Sequence, residues 1–268
     1  MRVIHRDYYS NHPAVLWLRG FFLLFSSFLF AFLIILSIFV PKSCKKDTLM
    51  QHIYTFLKEI AAHNDREWFH AHQPEYKAAR ASYEAYVQEM ILRIAAFDPS
   101  VAYQTPKTCI YRFARDTRFS NDKSPYKRHF GAFVCSHGRK SYRGGYYLHL
   151  EPGNSLIAGG SWCPPAPLLK RIRETIVDDI DHFRSIVEAP DFHALFPVVG
   201  EDLVKTTPKG FPKDFPYSEY LRPRLYTVWH PIPDTLVSEP DSQDRIEQMF
   251  RTMAPLNAFL NEIFDDYE

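Results

Sequence analysis

Apolar residues recur as Ile53, Phe56, Leu57 and Ile60, the i, i+3, i+4, i+7 spacing of one helical face. The spacing predicts an amphipathic helix from about Leu49 that ends near His63-Asn64-Asp65. A second helix is predicted over 74–97. It opens on Pro74, which suits a first turn, and carries Tyr76, Ala79, Tyr83, Val87, Met90 and Ile94 on one face before Asp98-Pro99 stops it. The period then changes. Segments 109–113, 128–136, 144–151 and 155–163 are short, rich in aromatic or β-branched residues and bounded by turn formers, which predicts four strands. The joins at 137–140 and 152–154 are tight, and consecutive strands with tight joins favour an antiparallel meander. Helix returns over 164–187, with Leu168, Ile172, Ile176 and Ile180 aligned. The Pro-rich run 207–216 is too punctuated for regular structure. A further strand is predicted over 224–230 and a closing helix over 242–264, which Pro255 should kink. Helices flanking a block of strands give an α+β class: a mainly antiparallel sheet of about four or five strands, in a single domain over 50–268.

The first 49 residues have a different character. Residues 20–40 are 21 residues without a charge, long enough as a helix to span a hydrocarbon core of ~30 Å. Translated from Met1, the chain is expected to be a single-pass membrane protein anchored by this probable transmembrane helix. Arg2, Arg6 and Arg19 before the span balance Lys42, Lys45 and Lys46 after it, so orientation is open. The alternative treats residues 1–49 as a gene-model extension. Translation then starts at Met50, where the domain pattern begins, and the location is cytoplasmic.

Charge narrows the partners. The net charge is +1, but six basic and two acidic residues fall within 1–49, leaving 26 basic against 29 acidic residues and a net of −3 for the rest. Such a balance argues against broad nucleic-acid binding, which depends on neutralising many phosphates. Cys44, Cys109, Cys135 and Cys163 are scattered without a CxxC pair, so they suggest neither a zinc site nor a redox dithiol. No cofactor is implied.

Against this background residues 112–128 stand out. They hold Arg112, Arg115, Arg118, Lys123, Lys127 and Arg128 with only Asp116 and Asp122 as acids. Guanidinium forks match carboxylate and phosphate oxygens, and Ser120, Asn121, Ser124 and Pro125 favour a turn whose N–H groups can face an anion. Arg112, Arg115, Arg118, Lys123, Tyr126 and Lys127 are therefore the candidate ligand-binding residues. The plainer alternative is an ion-pair web that pins a long loop.

On the predicted strand 144–151, alternation places Tyr147, His149 and Glu151 on one face. His149 and Glu151 suit acid–base chemistry or metal ligation, although such a pair is also common on the polar face of a half-buried sheet. Asp116, His149 and Glu151 are the catalytic candidates, and no metal site is assigned. His70 and His72 point apart on a helix or turn, and Trp68, Phe69, Tyr83 and Tyr86 read as core aromatics.

The segments Asn64-Asp-Arg-Glu-Trp-Phe69, Arg115-Asp-Thr-Arg-Phe-Ser-Asn-Asp-Lys-Ser-Pro-Tyr-Lys127, Gly145-Tyr-Tyr-Leu-His-Leu-Glu-Pro-Gly153 with Gly159-Gly160, and Pro208-Lys-Gly-Phe211 resemble the bacterial and fungal family called domain of unknown function 2461. The resemblance covers 50–268 and implies a shared fold without naming a reaction. Three functions follow from the residues: a module that binds a phosphorylated or carboxylate small molecule through 112–128, a hydrolase of a phosphorylated or acidic substrate, and a scaffold whose arginines pair internally.

Overall fold

The computed structural model describes residues 42–266, and Asp47–Glu268 form one compact unit. The predicted membrane span at 20–40 lies outside the described residues. Among those described, no helix is long and apolar enough to cross a membrane.

Helix α1 (Lys42–Ala62) starts earlier than its apolar spacing predicts, because the polar residues 42–48 carry no periodic signal. Its predicted stripe is buried: Ile53, Phe56, Leu57 and Ile60 are each at most 2% exposed. Asp65 then caps the short helix α2 (Arg66–Ala71) by accepting the Trp68 N–H at 2.8 Å, which satisfies a donor the helix end would otherwise leave unpaired. Helix α3 (Gln73–Ala95) buries Ala79, Tyr83, Val87, Met90 and Ile94 as expected, and Tyr86 and Ile91 as well.

The predicted strand 109–113 is not one. Thr105 and Thr108 form a reciprocal capping box that starts a helical turn, α4 (Pro106–Cys109). Beyond it the chain makes only isolated bridges, Ile110 to Ala132 and Ala114 to Tyr126. Short apolar runs do not by themselves separate strand from turn, and here the local cap decides.

The sheet is a four-stranded antiparallel meander in the order β1 (Phe130–Val134), β2 (Gly145–Leu150), β3 (Leu156–Ser161), β4 (Tyr226–Pro231). Between β3 and β4 the predicted single helix is instead α5 (Ala166–Asp178) and α6 (Ile180–Val187), followed by α7 (Pro190–Leu195). Asp179 makes the break. Its backbone leaves helical geometry and its carboxylate accepts the His182 N–H at 3.3 Å. After β4 come α8 (Asp234–Ser238) and α9 (Ser242–Asp265), which continues through Pro255 and packs against β3, α3, α5 and α6.

Alternation divides the sheet into two faces. Phe130, Ala132, Val134, Tyr146, Leu148, Leu150, Ile157, Tyr226 and Val228 are buried in the hydrophobic core. Tyr83, fully buried, donates to the Leu148 carbonyl at 3.2 Å. Burying each such large side chain contributes about 1.5–3 kcal/mol, and together they fix which face turns inward. The opposite face carries Tyr147 and His149 and is partly open, with Trp229 51% exposed.

Candidate functional site

The arginine-rich segment is the tip of an irregular hairpin that feeds β1. Lys127 N–H donates to the Phe113 carbonyl at 3.0 Å, Arg115 N–H to Pro125 at 2.9 Å, and Tyr111 N–H to Gly131 at 3.0 Å. Its inner side is aromatic: Phe113 lies among Phe56, Phe69, Tyr76 and Phe130, and Tyr126 stacks on Phe69 at 3.9 Å between centroids. Asn64 locks this arrangement from the end of α1. Its amide oxygen accepts the Tyr126 N–H at 3.1 Å, and its amide nitrogen donates to the Tyr126 carbonyl at 2.9 Å.

Much of the loop's charge is spent within the loop. Arg115 pairs with Asp122 and donates to Ser124 Oγ at 2.5 Å and Ser120 Oγ at 3.3 Å. Arg118 forms a two-pronged pair with Asp116 at 3.0 and 2.7 Å, and Lys123 donates to the Thr117 carbonyl at 2.9 Å. The carboxyls of Asp122 and Asp116 are held below their usual range. For Asp122 the main cause is the Ser124 hydroxyl, and for Asp116 it is Arg118. Asp116 is therefore engaged at the loop tip by Arg118.

Arg112 and Lys127 differ. The Arg112 side chain is 70% exposed and meets Asp116 only at 3.9 Å. Lys127 is half-buried, lies over the Tyr111 ring at 5.3 Å and has no carboxylate partner among the described residues. Burial, and then Arg112, pushes its ammonium below the usual lysine range. Alongside runs a groove of about 570 Å³ lined by Arg80, Glu84, Lys107, Tyr111, Arg112 and Arg139, among others. Arg80 is occupied by Glu84 and Arg139 by the Lys107 carbonyl, which leaves Arg112 and the Lys107 ammonium the more available cations there.

Along the extended chain Lys127, His129 and Gly131 alternate onto one side, and the register sets Gly131 opposite His149. His129 thereby reaches His149, with ring centroids 4.1 Å apart. Tyr147, His149 and Glu151 form a hydrogen-bonded row: Tyr147 Oη lies 3.0 Å from His149 Nδ1, and His149 Nε2 lies 3.0 Å from Glu151 Oε2. Asn154 holds the same Glu151 oxygen at 3.0 Å. Gly131 makes room for the row, since a methyl group there would lie 2.7 Å from the Tyr147 hydroxyl. Burial pushes His129 down to about 4, helped by His149 and Lys127, and lowers His149 despite the opposing pull of Glu151. Burial acts to raise the Glu151 carboxyl, but Asn154 and His149 together bring it below its usual value.

Three of the four segments that resemble a known family thus meet: Asn64 grips Tyr126, and the chain after Tyr126 leads to the row on β2. A family model described as conserved hypothetical protein (DUF2461) matches residues 52–259. The chain belongs to this family. Searches of curated proteins and of solved structures gave no match. In this member the structure brings the candidates Lys127, His149 and Glu151 to one face and leaves Arg115, Arg118, Lys123 and Asp116 bonded at the loop tip. His129, Tyr147 and Asn64 are absent from the sequence-derived candidates. Alternation within the predicted strand 128–136 carried a signal for His129, whereas the Asn64–Tyr126 clamp has none, being a contact across 62 positions.

Proposed function

We propose that this chain binds a small phosphorylated or carboxylate ligand where the arginine-rich hairpin runs into the sheet, with Lys127 and Arg112 as the anchoring cations. Lys127 carries the reading. A half-buried ammonium without a carboxylate costs desolvation energy that an incoming anion can offset. Arg112, beside it, opens onto a groove of the size that small molecules occupy. In this reading Arg115, Arg118, Lys123 and Tyr126 hold the hairpin in shape instead of touching the ligand.

Calorimetric titration with inorganic phosphate and with citrate tests it. Lys127→Ala should weaken binding about tenfold or more, Arg118→Ala should weaken it far less, and added salt should weaken it through screening. Phosphate and citrate affinities that are the same in folded Lys127→Ala as in the parent protein, or no binding by the parent protein, would overturn the proposal.

A second reading, hydrolysis of a bound phosphorylated or acidic substrate, is favoured by the Tyr147–His149–Glu151 row, which is arranged to pass a proton. It expects turnover of a phosphate ester such as p-nitrophenyl phosphate that drops about a hundredfold in His149→Gln, in keeping with the ~10²–10⁴ typical of general acid–base catalysis. The absence of turnover across a panel of phosphate and carboxylate esters would remove it.

A further inference from the structure

We propose that His129, His149 and Glu151 form a binding site for a divalent first-row transition-metal ion. One ligand atom from each lies within 4.8 Å of the other two. Two imidazoles and one carboxylate make a nitrogen-rich donor set that suits zinc, iron(II), nickel or copper over magnesium or calcium, which prefer all-oxygen shells. Three protein ligands leave coordination positions open, as in metal sites that take substrate or water and unlike closed structural sites.

The surroundings fit ligation. At zinc–nitrogen distances of ~2.1 Å, two donors of one ion lie at most about 4.2 Å apart, so the cluster must close slightly. His129 can supply the movement, because its ring makes no hydrogen bond among the described residues and packs on His149. The other two ligands are already oriented. Tyr147 holds His149 Nδ1, leaving Nε2 turned toward Glu151, and Asn154 holds Glu151. Outer partners of this kind fix ring orientation at metal sites. An ion would take the place of the proton between His149 Nε2 and Glu151, and the neutral ring would carry its one proton on Nδ1 instead, donating it to Tyr147 Oη. Lys127 and Arg112 add positive charge nearby and Glu151 contributes one negative charge, so a bound divalent ion also favours an anion from solution. The inference stands apart from the anion proposal, and the hydrolytic reading uses the same His149 nitrogen.

The test uses the full chain stripped with a chelator and titrated with zinc by calorimetry and with cobalt(II) by absorption spectroscopy. One ion per chain is expected at this site, with a cobalt spectrum free of thiolate charge-transfer bands. His129→Ala and His149→Ala should each weaken zinc binding by about a hundredfold or more, and Tyr147→Phe by about tenfold, in the range for loss of an outer partner. His70→Ala and Cys163→Ser should bind like the parent chain. If His149→Ala fails to fold, His129→Ala and Glu151→Gln decide. Zinc affinity unchanged in folded His129→Ala, loss of the ion in Cys163→Ser, or no zinc binding by the parent chain would overturn the proposal. Phosphate titration of the metal-free protein reports on the anion site separately.

Discussion

Gly160→Ala is expected to destabilise the fold by about 4 kcal/mol, a large share of a total stability in the usual range of about 5–15 kcal/mol. Two costs combine. Gly160 has φ +95, a conformation in which a non-glycine residue costs about 1–3 kcal/mol. The added methyl would also land on the Tyr226 carbonyl oxygen and lie 3.0 Å from Thr227 Cα, both backbone atoms of the paired strand β4. Backbone in a sheet cannot rotate aside as a side chain can, so overpacking of about 1–3 kcal/mol adds to the strain. Guanidinium denaturation followed by circular dichroism measures the difference. A loss below about 1 kcal/mol would show that β3 and β4 separate easily at this point and that the register there is soft.

Asn257→Leu should cost about 3 kcal/mol, although leucine is apolar, similar in size and a better helix former. Asn257 is 1% exposed on α9. Its amide oxygen accepts the Gly160 N–H at 3.0 Å, and its amide nitrogen donates to the Gly145 carbonyl at 3.0 Å. One side chain therefore serves backbone groups of two adjacent strands at their shared end. Removing it strips a partner from each, at about 1–3 kcal/mol per buried group left unpaired. One turn further along, Asn261 does the same for Gly144, accepting its N–H at 2.8 Å and donating to its carbonyl at 3.2 Å. The paired asparagines dock α9 on the sheet by hydrogen bonds as well as by apolar contact. Asn257→Leu compared with Asn257→Asp in the same denaturation assay checks this. A leucine variant as stable as the parent chain would mean that apolar packing alone positions α9.

The three glycines, Gly144, Gly145 and Gly160, and both asparagines are easy to pass over in the sequence. A pair such as Gly144-Gly145 or Gly159-Gly160 reads as a strand end or bulge, and an asparagine on a helical pattern reads as a polar surface position. Their actual roles depend on contacts across 97 to 117 positions.

The amino-acid pattern by itself determined the α+β class, the antiparallel meander, and the buried faces of α1 and α3, because these rest on local periodicity and on turn residues acting over a few positions. It misjudged 109–113 and joined α5 to α6, where capping side chains, Thr105 with Thr108 and then Asp179, outweigh an apolar run. It singled out the basic stretch 112–128 but could not divide its charges. Folding decided that Arg115 and Arg118 close on acids within the loop, while Lys127 is carried beside His129 and His149. Charge is countable along a chain, whereas compensation depends on which groups the tertiary fold brings within a few ångströms.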